Sequence, residues 1–104
     1  MTMNTTARTK LEIVVEAPVL RRVEELLAEA GVRGFSVFAG LEGAGDGGGW
    51  RREGLSGAQD KRLIWTIMSA DTAERVLERL AEFFQDYPGV VCVSDVRVLR
   101  GERF

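Results

Sequence analysis

An α+β fold of order βαββαβ, a four-stranded antiparallel sheet with two helices on one face, is what these 104 residues predict. Three observations lead there. Strand-like alternation followed by helical periodicity occurs twice, a glycine-rich stretch over residues 41–60 joins the two halves, and two of the strands are apolar at both parities. The 45% hydrophobic content of a chain this long suits one domain.

Residues 1–9 are polar and threonine-rich and are expected to form a disordered tail, with the folded domain spanning 10–104. From Lys10, "KLEIVVE" alternates Leu11, Ile13 and Val15 against Glu12, Val14 and Glu16, as a half-buried strand does. "APVLRRVEELLAEAG" then places Val19, Val23, Leu26, Leu27 and Ala30 on one helical face. Pro18 suits its first turn and Gly31 its end. "RGFSVFAG" is a second strand and "KRLIWTIMS" a third. "SADTAERVLERLAEFFQDY" is a second amphipathic helix, for which Asp71 and Glu74 have the spacing of a capping box and Pro88 with Gly89 a stop. "VVCVSDVRVL" is the last strand. "VEELLAE" and "LERLAE" make the two halves a weak repeat, and two βαβ halves side by side give the ferredoxin-like arrangement.

Composition removes several functions. Sixteen acidic against fourteen basic residues leave no basic excess for nucleic acid. Histidine is absent and Cys92 is the single cysteine, which excludes Ser-His or Cys-His nucleophiles, an internal disulfide and a cysteine zinc cluster; no metal site and no catalytic residue is predicted. Cys92 lies in an apolar run and reads as a buried thiol. With no span of roughly 18 apolar residues and no hydrophobic signal core near "MTMNTTARTK", a soluble cytoplasmic protein is expected.

Helices on one side leave the opposite sheet face bare. The third strand is apolar at Leu63, Trp65 and Ile67 and again at Ile64 and Met68, and the fourth is nearly so. A soluble monomer would expose too large an apolar patch, so other copies of the chain should cover it.

Residues 41–60 join strands that a tight hairpin could connect, and seven of the twenty are glycine. The excess is functional or disordered. "GAGDGG" from Gly43 matches G-x-G-x-x-G by letter, but no helix follows, and no G-K-[ST] completes a Walker A loop. Glycine N–H groups at Gly43 and Gly45, with Arg51 and Arg52, form a candidate anion-contacting set, and Trp50 a candidate for closing over a base or docking a partner. The bland alternative is a solvated linker. Glu12 and Glu16 read as solvated or ion-paired, and Phe83, Phe84 and Tyr87 as core.

Two segments carry a resemblance. "KLEIVVEAPVLRRVEELLAEAGVRGFSV" runs from strand through helix into a G-x-x-G-[YFM]-[ST]-V turn, and "FFQDYPGVVCVSDVRVL" has an F-x-D-Y-x-G-[IV]-[IV] approach to the last strand. Over residues 10–104 the chain resembles the PII signalling superfamily, in particular the PII-like branch that includes SbtB and the carboxysome-associated PII proteins. The resemblance implies a homotrimer binding an adenine nucleotide (AMP, ADP, ATP or cyclic AMP) in clefts between subunits, with residues 41–60 as a T-loop that changes shape with the ligand. It further implies that Val14 and Ile67 line the base or sugar, that Gly34, Phe35 and Ser36 form the adenine-side wall, that Gly89 and Val90 offer backbone groups, and that Arg100 reaches phosphates.

Within that branch the implied role is a non-enzymatic sensor of nucleotide, together with bicarbonate, regulating a membrane transporter for inorganic carbon. Three family features are missing. "DYPGVV" carries no phosphate-binding lysine, no tyrosine lies in residues 41–60, and SbtB's cysteine-containing extension has no counterpart after "GERF". The rival readings are a structural or metal-tolerance-type trimer of the same fold, and a weak nucleotide phosphohydrolase using Glu42, Asp46 or Glu53.

Overall fold

The computed structural model describes residues 4–51 and 60–104. Strand β1 spans Thr6–Glu16, a 3-10 turn follows over Ala17–Val19, and α1 spans Leu20–Ala30. Strands β2 (Ser36–Ala39), β3 (Glu42–Gly45), β4 (Gly48–Arg51) and β5 (Lys61–Met68) precede α2 (Ala70–Asp86) and β6 (Gly89–Val98). A second 3-10 turn covers Gly101–Arg103. The main sheet has the order β2-β5-β1-β6 with every described pair antiparallel, so each half of the chain contributes one central and one edge strand. This is the ferredoxin-like βαββαβ arrangement.

Register divides the residues of the sheet between two faces. Leu11, Ile13 and Val15 of β1 stand opposite Thr66, Ile64 and Arg62 of β5, and their side of the sheet is covered by the helices. Val23, Leu27 and Ala30 of α1 and Ala73, Val76 and Leu80 of α2 complete the core with Ile64 and Met68. The burial follows from the 3.6-residue periodicity of both helices. Gly31 closes α1 in a left-handed conformation, donating to the Leu27 and Ala28 carbonyls.

Three boundaries differ from the sequence reading. Strand β1 begins at Thr6 rather than Lys10, because β6 is long enough to offer Val98, Arg97 and Val96 as partners to Thr6, Ala7 and Arg8. Thr9, assigned to a tail, is buried. Helix α2 is capped by Ser69, not by a box beginning at Asp71: the Ser69 Oγ accepts from the Thr72 N–H at 3.2 Å, which leaves Asp71 in the first turn where its charge favours the dipole. Residues 42–51, part of the segment read as either functional or disordered, pair as a hairpin that turns at Asp46 and Gly47.

The far face of the sheet is uncovered. It carries Phe38 of β2, Leu63, Trp65 and Ile67 of β5, Val14 of β1, and Val90, Cys92, Val96 and Val98 of β6. Phe38 and Val90 are more than half exposed. Cys92, read as a buried thiol, is exposed here opposite Glu12, because Val91 and Val93 take the helix-facing parity.

Candidate functional site

Two clefts gather most of the residues singled out in the sequence. The larger, of about 700 Å³, lies between the hairpin and the adjoining ends of β1, β5 and β6. Val14, Gly89 and Val90 line it together with Gly45, Glu16, Lys61 and Trp50. Its volume falls in the range of small-molecule sites.

Local geometry explains how the sequence builds it. Val14 stands opposite Val90, so neighbouring residues of β1 and β6 form its floor. Gly89 is there because β6 starts close beneath α2; a Cβ on it would lie 2.5 Å from Phe84 Cε1 and 3.0 Å from the Val14 carbonyl oxygen. The Gly40 N–H donates to the Lys61 carbonyl at 2.9 Å and the Ala17 N–H to the Asp60 carbonyl at 2.8 Å, which anchors the base of the hairpin to the sheet. Trp50 lies over Gly43, its register partner, and over Gly40.

Lys61 is the functional candidate that sequence reasoning missed. Its Nζ lies 3.3 Å from Glu16 Oε2 and 5.9 Å from the centre of the Trp50 ring. Among the described residues lining this cleft it is the one cation, set against the carboxylates of Glu16 and Asp46. Its signal was present in the sequence as the first residue of the third strand, but a lysine at a strand start is ordinarily solvated, and only the register with Glu16 turns it inward.

The smaller cleft, of about 190 Å³, is lined by Gly34, Phe35, Ser36, Trp65, Thr66, Ile67 and Phe104. Four of the residues implied by the resemblance meet here. The Thr66 hydroxyl donates to the Gly34 carbonyl at 2.7 Å and so fixes the turn that leads into β2 against β5. Ile67 stands opposite Lys10, four residues along β1 from Val14, so the two clefts lie roughly 13 Å apart on the same uncovered face.

The remaining candidates fall elsewhere. Arg100 lines neither cleft; it sits exposed on the bend after β6 with φ 61° and ψ 42°. Gly43 is not part of the larger cleft's lining, because Trp50 packs against it. Arg51 is paired with Glu42 at 3.7 Å, on a side chain 79% exposed. Arg52 and Glu53 lie outside the described residues, as does the rest of the segment 52–59. Glu12 and Glu16 are ion-paired with Lys10 and Lys61. Phe83 stacks on Tyr87, whose hydroxyl accepts from Arg22, on the helical side of the molecule.

Among the described residues no group of three or more acidic or sulfur side chains is placed to hold a metal ion, and no helix is long and apolar enough to cross a membrane.

Comparison with known proteins gives a consistent picture. The family model described as nitrogen regulatory protein P-II matches residues 8–103. The nitrogen regulatory PII-like protein CPII of Thiomonas intermedia K12, solved with ADP, AMP and bicarbonate bound, is 27% identical, with 99% of this chain and 98% of that chain covered and a TM-score of 0.90. A Thermus thermophilus protein described as PII-like and signalling is 26% identical over 98% of this chain and 99% of its own, with a TM-score of 0.84. The GlnK–ATP complex of B. subtilis, at 16% identity over 90% of this chain and 85% of that chain and a TM-score of 0.63, shares the fold.

Proposed function

This chain belongs to the nitrogen regulatory protein P-II family, and from that premise we propose that it is a PII-like signal-transduction protein that binds an adenine nucleotide between subunits of a homotrimer. The observation that carries the reading is that both clefts open on the sheet face the helices leave uncovered, where Phe38, Trp65 and Val90 stand among the ion pairs Lys10–Glu12 and Lys61–Glu16. An isolated chain would expose Phe38, Val90 and much of Trp65 there, whereas a second copy seated on that face buries them and turns each half-cleft into an enclosed site.

The division of labour follows from the lining. Gly34, Phe35, Ser36 and Ile67 supply flat apolar walls suited to a purine base. From the adjoining copy, Val14, Gly89 and Val90 meet the sugar side, and Lys61 meets the anionic end, where phosphate oxygens compete with Glu16 for its ammonium. One lysine already paired to a carboxylate is a weak counter-charge for a diphosphate. Arg100, exposed on its bend, is the residue we assign to supply more from a neighbouring copy.

The hairpin is the responding element. Ligand in the larger cleft contacts residues 44–50 directly, so binding biases the hairpin's position and thereby what docks on it. The CPII protein binds ADP, AMP and bicarbonate, and we extend those ligands to this chain, with an inorganic-carbon transporter as the regulated partner and the cytoplasm as the compartment. The role is that of a sensor rather than an enzyme.

Calorimetric titration of AMP, ADP, ATP and cyclic AMP, with and without bicarbonate, tests this alongside light scattering for subunit number. Binding by a trimer is expected. A monomer, or absence of heat at millimolar nucleotide, refutes the proposal, and phosphate release over hours would favour a phosphohydrolase.

A further inference from the structure

We propose that Phe104 belongs to the base half-site itself: its ring occupies space that the purine needs and must leave before the base can enter. This inference rests on the nucleotide-binding reading above.

Past β6 the chain reverses at Arg100, whose left-handed backbone is unfavourable for a residue with a side chain and persists only where its surroundings hold it. Two arginines do the holding. Arg8 of β1 donates from Nη2 to the Gly101 carbonyl at 2.8 Å, and Arg33 donates from Nη1 to the Glu102 carbonyl at 2.9 Å. Arg33 immediately precedes Gly34, so the turn is tied to the rim of the smaller cleft. Phe104 is thereby delivered among Gly34, Phe35, Trp65 and Ile67.

Burial agrees with that placement. Ile67 lies on the uncovered face yet is only 7% exposed, while Trp65, two residues earlier on the same face, is 37% exposed. The space left is about 190 Å³. Small-molecule sites usually measure roughly 300–1,000 Å³, so the cleft is undersized while the ring is in place. A flat aromatic ring and a purine base compete for the same apolar walls.

The test is titration of ADP into the intact wild-type protein, Phe104→Ala and Arg33→Ala, with light scattering to establish equal assembly. A ring docked nine-tenths of the time weakens apparent affinity about tenfold, so Phe104→Ala is expected to bind ADP about tenfold tighter, with Arg33→Ala between it and wild type. Unchanged affinity in Phe104→Ala overturns the proposal, and weaker binding overturns it by making the ring a wall of the site. Should Phe104→Ala fail to assemble, Arg33→Ala decides alone on the same criteria. If no form takes up ADP, the nucleotide reading falls and this proposal with it, a pattern distinct from binding that is indifferent to Phe104.

Discussion

Gly43→Ala is the sharpest probe of how the hairpin is held. Gly43 and Trp50 are register partners, and the indole lies so close over Gly43 that an added Cβ would sit 2.9 Å from its Cε2, Cζ2 and Nε1 atoms. The ring cannot simply slide toward the sheet, because Cη2 is equally near the Cβ position of Gly40. It must swing outward, abandoning Gly40, Gly43 and the Lys61 ammonium together. Overpacking of this kind costs about 1–3 kcal/mol, and Trp50 is only half-buried, so the lower end applies.

That cost should stay local. No residue of the hairpin belongs to the buried core, and a two-stranded hairpin is marginal by itself, so about 1 kcal/mol shifts its closed-to-open ratio roughly fivefold without unfolding the domain. In a Trp65→Phe background, which leaves Trp50 as the single indole, Gly43→Ala is expected to red-shift tryptophan emission while the Tm moves by less than about 2 °C. If the hairpin were coupled to global stability, each kcal/mol would lower the Tm by about 4–8 °C. A drop of that size, or an unaltered emission maximum, refutes the local-latch account.

Two further outcomes are expected. Glu16→Gln removes the carboxylate 3.3 Å from Lys61 in a partly exposed pair; such pairs contribute about 0.2–1 kcal/mol, so ADP affinity should rise by up to about fivefold in calorimetry, with the gain shrinking as salt is added. Ser69→Ala deletes the cap of α2 and should lower unfolding stability by about 0.5–2 kcal/mol in denaturant melts, whereas Asp71→Ala should cost less, because Asp71 acts only through the dipole.

How much of this was legible in the sequence depended on whether the signal was periodic. Leu11, Ile13 and Val15 announced the core face of β1, and the apolar residues of β5 and β6 at both parities announced a second, uncovered face, because side chains alternate strictly across a strand. Apart from Arg100, the residues grouped by the resemblance fell into two clusters, Val14, Gly89 and Val90 in one and Gly34, Phe35, Ser36 and Ile67 in the other. Non-periodic features were harder. Glycine-rich strands such as β3 and β4 have no alternation to read, and their pairing depends on Trp50 finding two bare backbones to lie on. Thr6 to Thr9 looked too polar for a strand until β6 supplied backbone partners. Lys61 and Phe104 act through neighbours more than 40 residues away or through a reversal at Arg100, neither of which leaves a local pattern.

Both feet of the hairpin stand on adjacent antiparallel strands, with Ala39 of β2 facing Arg62 of β5. The scaffold beneath is therefore closed whatever lies between those feet. Descendants of such a chain can lengthen, shorten or replace the protruding segment without renegotiating the body, so one platform is able to acquire new clients by changing a single insert.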